Sequence, residues 1–428
     1  MLPANHIPQH AWIDIPPDSD FTLHNFPLGI FETGSLGPRA ATAIGNYVVD
    51  LAAMHELRYF DALHLPRGIF ERPYLNDFIA LGQPVWRALR RRLLELFDTE
   101  GSGALRNYPD AQDEVMHSLT EVHLRMPVFV RDYTDFYASE THATHVGTML
   151  RGKEQALMPN WKHLPVAYHG RASSIVVSGE PVRRPLGQFR PAGEEQPLFG
   201  PSRSLDFELE MGAVIGQPNA LGHPIPADRA EDHVFGLLLF NDWSARDIQA
   251  WEYQPLGPFL GKNFASSVSP WIVSLDALAP FRVHGPVQDP AVLPYLQTQG
   301  LTHFDIQLEV YIQPALGSAI RVTRSNHCHL YWSLAQQIAH HTINGCNLSI
   351  GDILASGTIS GPEPDALGSL LELTWRGERP LDMPDGSQRR FLQDGDTVIM
   401  RGFAEKDGIR VGFGEVRTQI LPAISPTA

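Results

Sequence analysis

Apolar and polar residues alternate through SLDFELEMGAVIG, residues 204–216. A period of two is that of a β-strand, and it sends Leu205, Phe207, Leu209 and Met211 to one face. Asp206, Glu208 and Glu210 then share the other face, about 6.5–7 Å apart along the chain. That face is either wet or covered by something positive. Short β-branched and aromatic runs predict further strands at IVVSG (175–179), VFGLLLFNDW (234–243), SPWIVSL (269–275), DIQLEVYI (305–312), DTVIMRG (396–402) and VGFGEV (411–416). Nearer the N-terminus, FPLGIFE and AATAIGNYVVDL read as strands, with Gly45–Asn46 as a hairpin turn.

The period changes to that of a helix in PVWRALRRRLLELFD, where Pro84 suits a first turn and Val85, Leu89, Leu93, Leu96 and Phe97 form a stripe. A second helix is expected around AQDEVMHSLTEV (111–122), and a third where Ser333 can cap LAQQIAHHTI and Asn344–Gly345 can end it. Long helices stop near Met126–Pro127, which places a domain boundary within roughly 115–128. The pattern predicts a small α+β domain over 1–125 and a large, mainly β catalytic domain over 126–428.

Composition narrows the function. Of 428 residues, 43% are hydrophobic and 19% charged, enough for a large core, while 36 Gly and 35 Pro fit many turns. A net charge of −15 argues against nucleic-acid phosphate as a partner. The basic run from Arg87 to Arg92 then reads as the solvated face of its helix. Two cysteines, Cys328 and Cys346, make no disulfide framework and fit a reduced compartment. The start, MLPANHIPQHAWIDIPPDSDF, lacks a basic n-region and an apolar h-region, and VFGLLLF (234–240) is too short to cross a bilayer. A soluble cytoplasmic protein with no membrane partner is the expectation.

Candidate chemistry gathers in the larger domain. Asp135, Glu208, Glu210 and Asp242 fall beside strand ends or turns, and hard divalent cations such as Mg²⁺ and Ca²⁺ want this oxygen donor set. Scarce sulfur argues against structural zinc. Two plainer readings stay open: Glu-x-Glu on an exposed strand face, and Asp242 neutralised by Arg246 at a buried strand end. THATH places His142 and His145 three apart, and NHCHLYW places His327 and His329 on one strand face; neither supplies a full zinc set. His142, seven residues past Asp135, is the better candidate for a base. No G-x-S-x-G, Walker-type loop or G-x-G-x-x-G following a strand occurs, so serine hydrolases and nucleotide cofactors are not indicated. PLGPFLGKNF reads as a rigid turn that could hold Lys262 at a pocket.

Several segments together resemble the fumarylacetoacetate hydrolase family: RDYTDFYASETHATHVGTMLRGKE, LPVAYHGRASSIVVSG, LDFELEMGAVIG, FNDWSARDIQAWEYQPLGPFLGKNF and ILASGTISGPEPDALGSLLELTW. IPPDSDFTLHNFPLGIFE is similar to that family's opening, so the likeness covers nearly the whole chain. The resemblance implies a small SH3-like barrel domain followed by a mixed β-sandwich roll, paired as a homodimer. It implies that Asp135, Glu208, Glu210 and Asp242 bind Mg²⁺ or Ca²⁺, that His142 is the general base and that Glu372 orients it. Arg246, Gln249 and Lys262 would stabilise negative charge on the substrate. Tyr137, Arg151, Tyr253 and Thr358 would contact the substrate, with Tyr168 as a wall. Asp206 matches no ligand. Where animal members have Gly-Thr after the lysine turn, this chain has Ala265 and Ser266; Ser266 keeps a hydroxyl near Lys262 for a possible second cation.

The implied reaction is hydrolysis of a carbon–carbon bond in 4-fumarylacetoacetate, a dianion, to fumarate and acetoacetate, the last step of tyrosine and phenylalanine degradation. A divalent cation suits an enolate leaving group, and an imidazole suits water activation near neutrality. A locally basic pocket of Arg151, Arg246 and Lys262 must overcome the repulsion of an acidic protein. Acylpyruvate hydrolysis or oxaloacetate decarboxylation is the alternative within the family, and a metal-binding protein without catalysis the alternative outside it.

Overall fold

The period-two runs assemble into three large sheets in the computed structural model, which describes residues 10–425 and is mainly β with α+β content. The N-terminal sheet is antiparallel, in the order Met116–Ser118, Tyr47–Asp50, Arg39–Ile44, Leu28–Glu32, His123–Arg125. The strands Arg39–Ile44 and Tyr47–Asp50 are joined by Gly45–Asn46, and Gly45 takes the left-handed φ of 57° that a side chain disfavours. The helix Gln83–Phe97 buries Leu89, Leu93, Leu96 and Phe97, with Pro84 in its first turn.

Two expectations in this region hold only in part. Only the first part of AQDEVMHSLTEV is helical (Pro109–Val115), because Met116 pairs with Val49 as an edge strand. The arginines are a solvated face only in part: Arg87 and Arg91 are exposed, while Arg90 and Arg92 turn back onto the protein. Arg87 meets Asp276 at 2.9 Å, Arg92 donates to the Tyr59 carbonyl at 2.8 Å, and Arg90 is drawn inward to the carbonyls of His24 and Asn25. Burial pulls the Arg90 pKa down to about 10.

The central sheet has seven strands, in the order Ala167–His169, Tyr133–Phe136, Ile353–Ala355, Leu209–Ile215, Val234–Asp242, Ser266–Val268, Ile175–Val177, with both parallel and antiparallel pairs. Its two longest strands are buried on both faces, so they read as apolar runs. Val214, Leu238, Phe240 and Ile353 pack with the N-terminal core. Met211, Ala213, Leu237 and Leu239 pack the other way, with Val310, Met400 and Phe413 from a third sheet ordered Ile320–Asn326, Gln307–Gln313, Thr397–Lys406, Ile409–Leu421, Val182–Arg183. The central sheet is the shared middle layer, and the site grows from its strand ends.

SPWIVSL makes only isolated bridges, Ile272 to Leu28 and Val273 to Leu237. NHCHLYW is not a strand either; His327–His329 is a single 3₁₀ turn. The helix Leu334–Thr342 carries the full capping box of Ser333 and Gln336, and Gly345 follows it at a φ of 93°. Cys328 and Cys346 are free thiols. Among the described residues no helix is long and apolar enough to cross a membrane. Residues 1–9, where the reading of the N-terminus begins, lie outside the described residues.

The buried histidines predict acid sensitivity. Burial pushes His303 down to about 4, and burial followed by the neighbouring His303 pushes His327 down to about 3, from an ordinary 6.5. Both are neutral in the fold, while the unfolded chain takes up protons below about pH 6.5. Their contribution is therefore complete above that pH and is lost as pH falls towards 4 and 3. By pH 4.5 His327 should cost about 3 kcal/mol of stability. Denaturant midpoints at pH 7 and 4.5 should converge in His327→Gln relative to the parent; an equal fall in both proteins refutes the assignment.

Candidate active site

The alternating acids of residues 206–210 do not share one wet strand face. The strand breaks between Leu205–Asp206 and Leu209–Ile215, and all three carboxylates are buried. Asp206 turns away from the others. It accepts from the backbone N–H groups of Leu370 and Leu371 at 2.7 and 3.0 Å and from Arg246 Nε at 2.8 Å, so it caps the short helix Leu370–Leu373 that carries Glu372.

Glu208 and Glu210 turn towards Asp135, on the strand Tyr133–Phe136, and Asp242, at the end of Val234–Asp242. One oxygen of each of the four lies within 4.8 Å of the others. The strand Ile353–Ala355 separates Asp135 from Glu210 in the sheet, but it ends early and lets the two carboxylates meet beyond it. There Gly357 donates its N–H to Glu210 Oε2 at 3.1 Å. Gly357 has a φ of 76°, and a Cβ would lie 2.2 Å from the Phe136 carbonyl oxygen, so only glycine fits.

Donors are unevenly shared. Glu208 is held by Arg246 Nη1 at 2.8 Å and by Lys262 Nζ. Asp242 accepts from Lys262 Nζ at 2.9 Å, Ser266 Oγ at 3.0 Å and the Tyr168 hydroxyl. Asp135 Oδ2 accepts from Tyr133 and Tyr168 at 2.7 and 3.1 Å. Asp135 Oδ1 and Glu210 Oε1, by contrast, are buried with no hydrogen-bond partner among the described residues. Burial, then the charge of Asp242, pushes Asp135 well above the usual carboxylate range; burial, then Asp135, does the same to Glu210. Burial opposes ionisation of Glu208 too, but Lys262 and Arg246 hold it down to about 2. Four buried carboxylates against two cations, one of which also serves Asp206, leave negative charge that only another cation or protons can relieve. The orphaned oxygens and the all-oxygen donor set fit a hard divalent cation.

The Asp242–Arg246 ion pair, one of the plainer alternatives, does not form, since Arg246 faces Asp206 and Glu208. Ser266 sits opposite Asp242 across the strand pair. PLGPFLGKNF does deliver Lys262 into the cluster, and burial lowers the lysine less than Asp242 and Glu208 raise it.

Beside the acids lies a second unit. The helix Glu140–Arg151 is capped by Ser139, whose Oγ accepts the N–H of His142 at 3.2 Å. His142 is 3% exposed and its Nδ1 lies 2.6 Å from Glu372 Oε2. The Tyr137 ring stands edge-on to that imidazole, centroids 5.3 Å apart. Burial opposes the charge of Glu372, yet His142 beside it, with hydrogen bonds from His142, His145 and Ser360, holds it well below the usual carboxylate range. His145 does not form a zinc pair with His142, because its Nδ1 also points at Glu372, at 3.1 Å.

Gln249 Oε1 accepts from Arg246 Nη1 at 3.2 Å, and both line a cavity of about 330 Å³ with Tyr253. Arg190, Arg203 and Arg376 line it too, and none of their three guanidinium groups is ion-paired to a carboxylate among the described residues. Thr358 is buried next to Gly357. Arg151 is exposed at the helix end, donates to the carbonyls of Gln155 and Ala156 at 3.1 and 2.8 Å, and lies close enough for its charge to act on Tyr137. Sequence reasoning missed Tyr133, Asp206 as a cap, and the pocket arginines. Only Asp206 carried a local signal, its place in the acidic alternation.

Comparison with known proteins bears on all of this. The sequence profile of the fumarylacetoacetate (FAA) hydrolase C-terminal region matches residues 132–421, and that of the fumarylacetoacetase N-terminal region matches residues 24–127. Fumarylacetoacetase of Bos taurus is 49% identical over 417 residues, covering 97% of this chain and 99% of its own. That of Arabidopsis thaliana is 50% identical over 416 residues, covering 96% and 98%. In fold, a fumarylacetoacetate hydrolase from psychrophilic Exiguobacterium antarcticum superposes with a TM-score of 0.52 at 18% identity, covering 93% of this chain and 99% of that one. Two profiles met in chain order, and about half of all residues shared with animal and plant enzymes along nearly the full length, show that the chain belongs to the fumarylacetoacetate hydrolase family.

Proposed function

We propose that the protein hydrolyses a carbon–carbon bond of 4-fumarylacetoacetate to give fumarate and acetoacetate, in tyrosine and phenylalanine catabolism. One observation carries this reading: a buried His142–Glu372 pair stands beside four clustered carboxylates backed by Lys262 and Arg246. Asp135, Glu208, Glu210 and Asp242 would hold Mg²⁺ or Ca²⁺, whose chemistry there is Lewis-acid stabilisation of enolate charge. Glu372 accepts the Nδ1 proton of His142, which leaves Nε2 free to take a proton from water. The water oxygen bonds to the carbonyl carbon, the carbon–carbon bond breaks, and its electron pair leaves with acetoacetate as the enolate. His142 then returns the proton to the leaving carbon. Arg246, Gln249 and Lys262 offer donors to developing negative charge, and no acyl-enzyme is needed. Tyr137, Arg151, Tyr168, Tyr253 and Thr358 are proposed to hold the substrate, Tyr168 also fixing two of the acids. Ser266 and Lys262 border the place proposed for a second cation.

We further propose domains over 1–125, an SH3-like barrel with helices, and 126–428, a mixed β-sandwich roll, pairing of two chains, and a cytoplasmic place. A spectrophotometric assay with 4-fumarylacetoacetate, with and without chelator, tests the activity. A panel of other β-diketo acids on which the protein turns over faster would replace this substrate.

The cavity arginines support a dianionic substrate. Arg190, Arg203, Arg246 and Arg376 face a single lining carboxylate, Asp247, which is engaged by Ser202 and by the N–H of Arg203. Local attraction should win over the −15 of the whole chain, so kcat/KM should fall several-fold between about 0.02 and 0.3 M salt. Arg190→Gln with Arg203→Gln should flatten that slope. A kcat/KM that rises with salt would mean that global repulsion governs encounter.

A further inference from the structure

We infer that His145 is a positioning residue for the His142–Glu372 pair, holding the second oxygen of Glu372 so that the carboxylate keeps one edge on His142. The inference rests on the reading of His142 as base. Glu372 is fully buried and its two oxygens are served unequally. Oε2 accepts from His142 at 2.6 Å and from the hydroxyls of Ser360 and Ser369, both at 2.9 Å. Among the described residues Oε1 accepts from His145 alone, at 3.1 Å.

The sequence makes this possible. Residues three apart on a helix lie on one face, so His142 and His145 can reach the same carboxylate from successive turns of Glu140–Arg151. A carboxylate only accepts, so both rings must donate from Nδ1, and each Nε2 faces elsewhere. His145 is itself braced: its ring stands edge-on to Trp375, centroids 5.7 Å apart at 74°. Trp375 follows the short helix that carries Glu372, at a left-handed φ of 48° that a tryptophan rarely adopts. The ring that positions the carboxylate is thus packed on the segment that presents it.

Without His145, Oε1 is a buried carboxylate oxygen with no donor, and the group is free to turn about its last torsion. The Nδ1 bond to His142 then loses its fixed acceptor, and less of the imidazolium charge is stabilised in the transition state. Substrate affinity has no part in this, because His145 touches the base only through Glu372.

The test is a double-mutant cycle on the full, metal-loaded protein. His145→Ala should lower kcat about 10-fold with KM within twofold, and should shift or broaden the low-field proton signal of His142 Nδ1–H. His145→Gln, which keeps an amide donor, should recover part of the loss. In the His142→Ala background, adding His145→Ala should cost nothing further. Wild-type kcat in His145→Ala, or an equal loss in both backgrounds, overturns the inference. Should His145→Ala not fold, His145→Phe, which keeps a ring against Trp375 but offers no donor, takes its place, an unchanged signal with unchanged kcat counting against the inference. An active His142→Ala instead removes the reading of the base, and the two failures are distinct.

Discussion

Replacing His142 with alanine is expected to leave a folded protein with at least about 100-fold less turnover. The fold survives because the cap bond runs from the backbone N–H of residue 142 to Ser139 Oγ, not from its side chain. Glu372 also keeps Ser360, Ser369 and His145 as donors, so the substitution strands no bare charge. What is lost is Nε2, the atom left free when Nδ1 donates to Glu372. A 100-fold loss corresponds to about 2.7 kcal/mol of transition-state stabilisation. Turnover of the purified variant, beside an unchanged unfolding temperature, checks both halves. Wild-type turnover in a folded variant removes His142 from its role.

The fold was legible where local pattern and tertiary demand agree. The hairpin at Gly45–Asn46 and the capped helix after Ser333 use local chemistry that no neighbour contradicts. The second helix around residues 111–122 failed because the edge of the N-terminal sheet captures Met116–Ser118. Arg90 failed for a related reason: composition places an arginine outside, but the carbonyls of His24 and Asn25 lie within its reach only after folding. In the site, resemblance named the four acids that the structure clusters. Pattern alone left a divalent-cation set, an exposed Glu-x-Glu face and an Asp242–Arg246 pair all open, since alternation says which residues share a side and not what lies against it. Asp242 shows the same limit. Its nearest cation in sequence, Arg246, goes to Asp206 and Glu208, and Lys262 arrives from a turn 20 residues away.

Glu210→Gln should do two opposite things to stability, and the contrast separates a cation site from a merely structural acid cluster. With a divalent cation present, the variant should bind less of it by elemental analysis and unfold at a lower temperature than the parent, as should Asp135→Ala. Saturation at about 100 times Kd is worth about 2.7 kcal/mol to the parent. With chelator, the order should reverse for Glu210→Gln. Glu210 Oε1 then has neither partner nor counter-ion, and Asp135, Glu208 and Asp242 all push its charge out of the buried site. A neutral amide keeps the shape and removes that repulsion, so the chelated variant should be the more stable of the two. Were the acids held only by Lys262, Arg246 and the tyrosines, chelator would change nothing and Glu210→Gln would act with one sign in both conditions. Equal metal content in parent, Asp135→Ala and Glu210→Gln would refute the ligand set outright, because two of its four oxygens would then be dispensable.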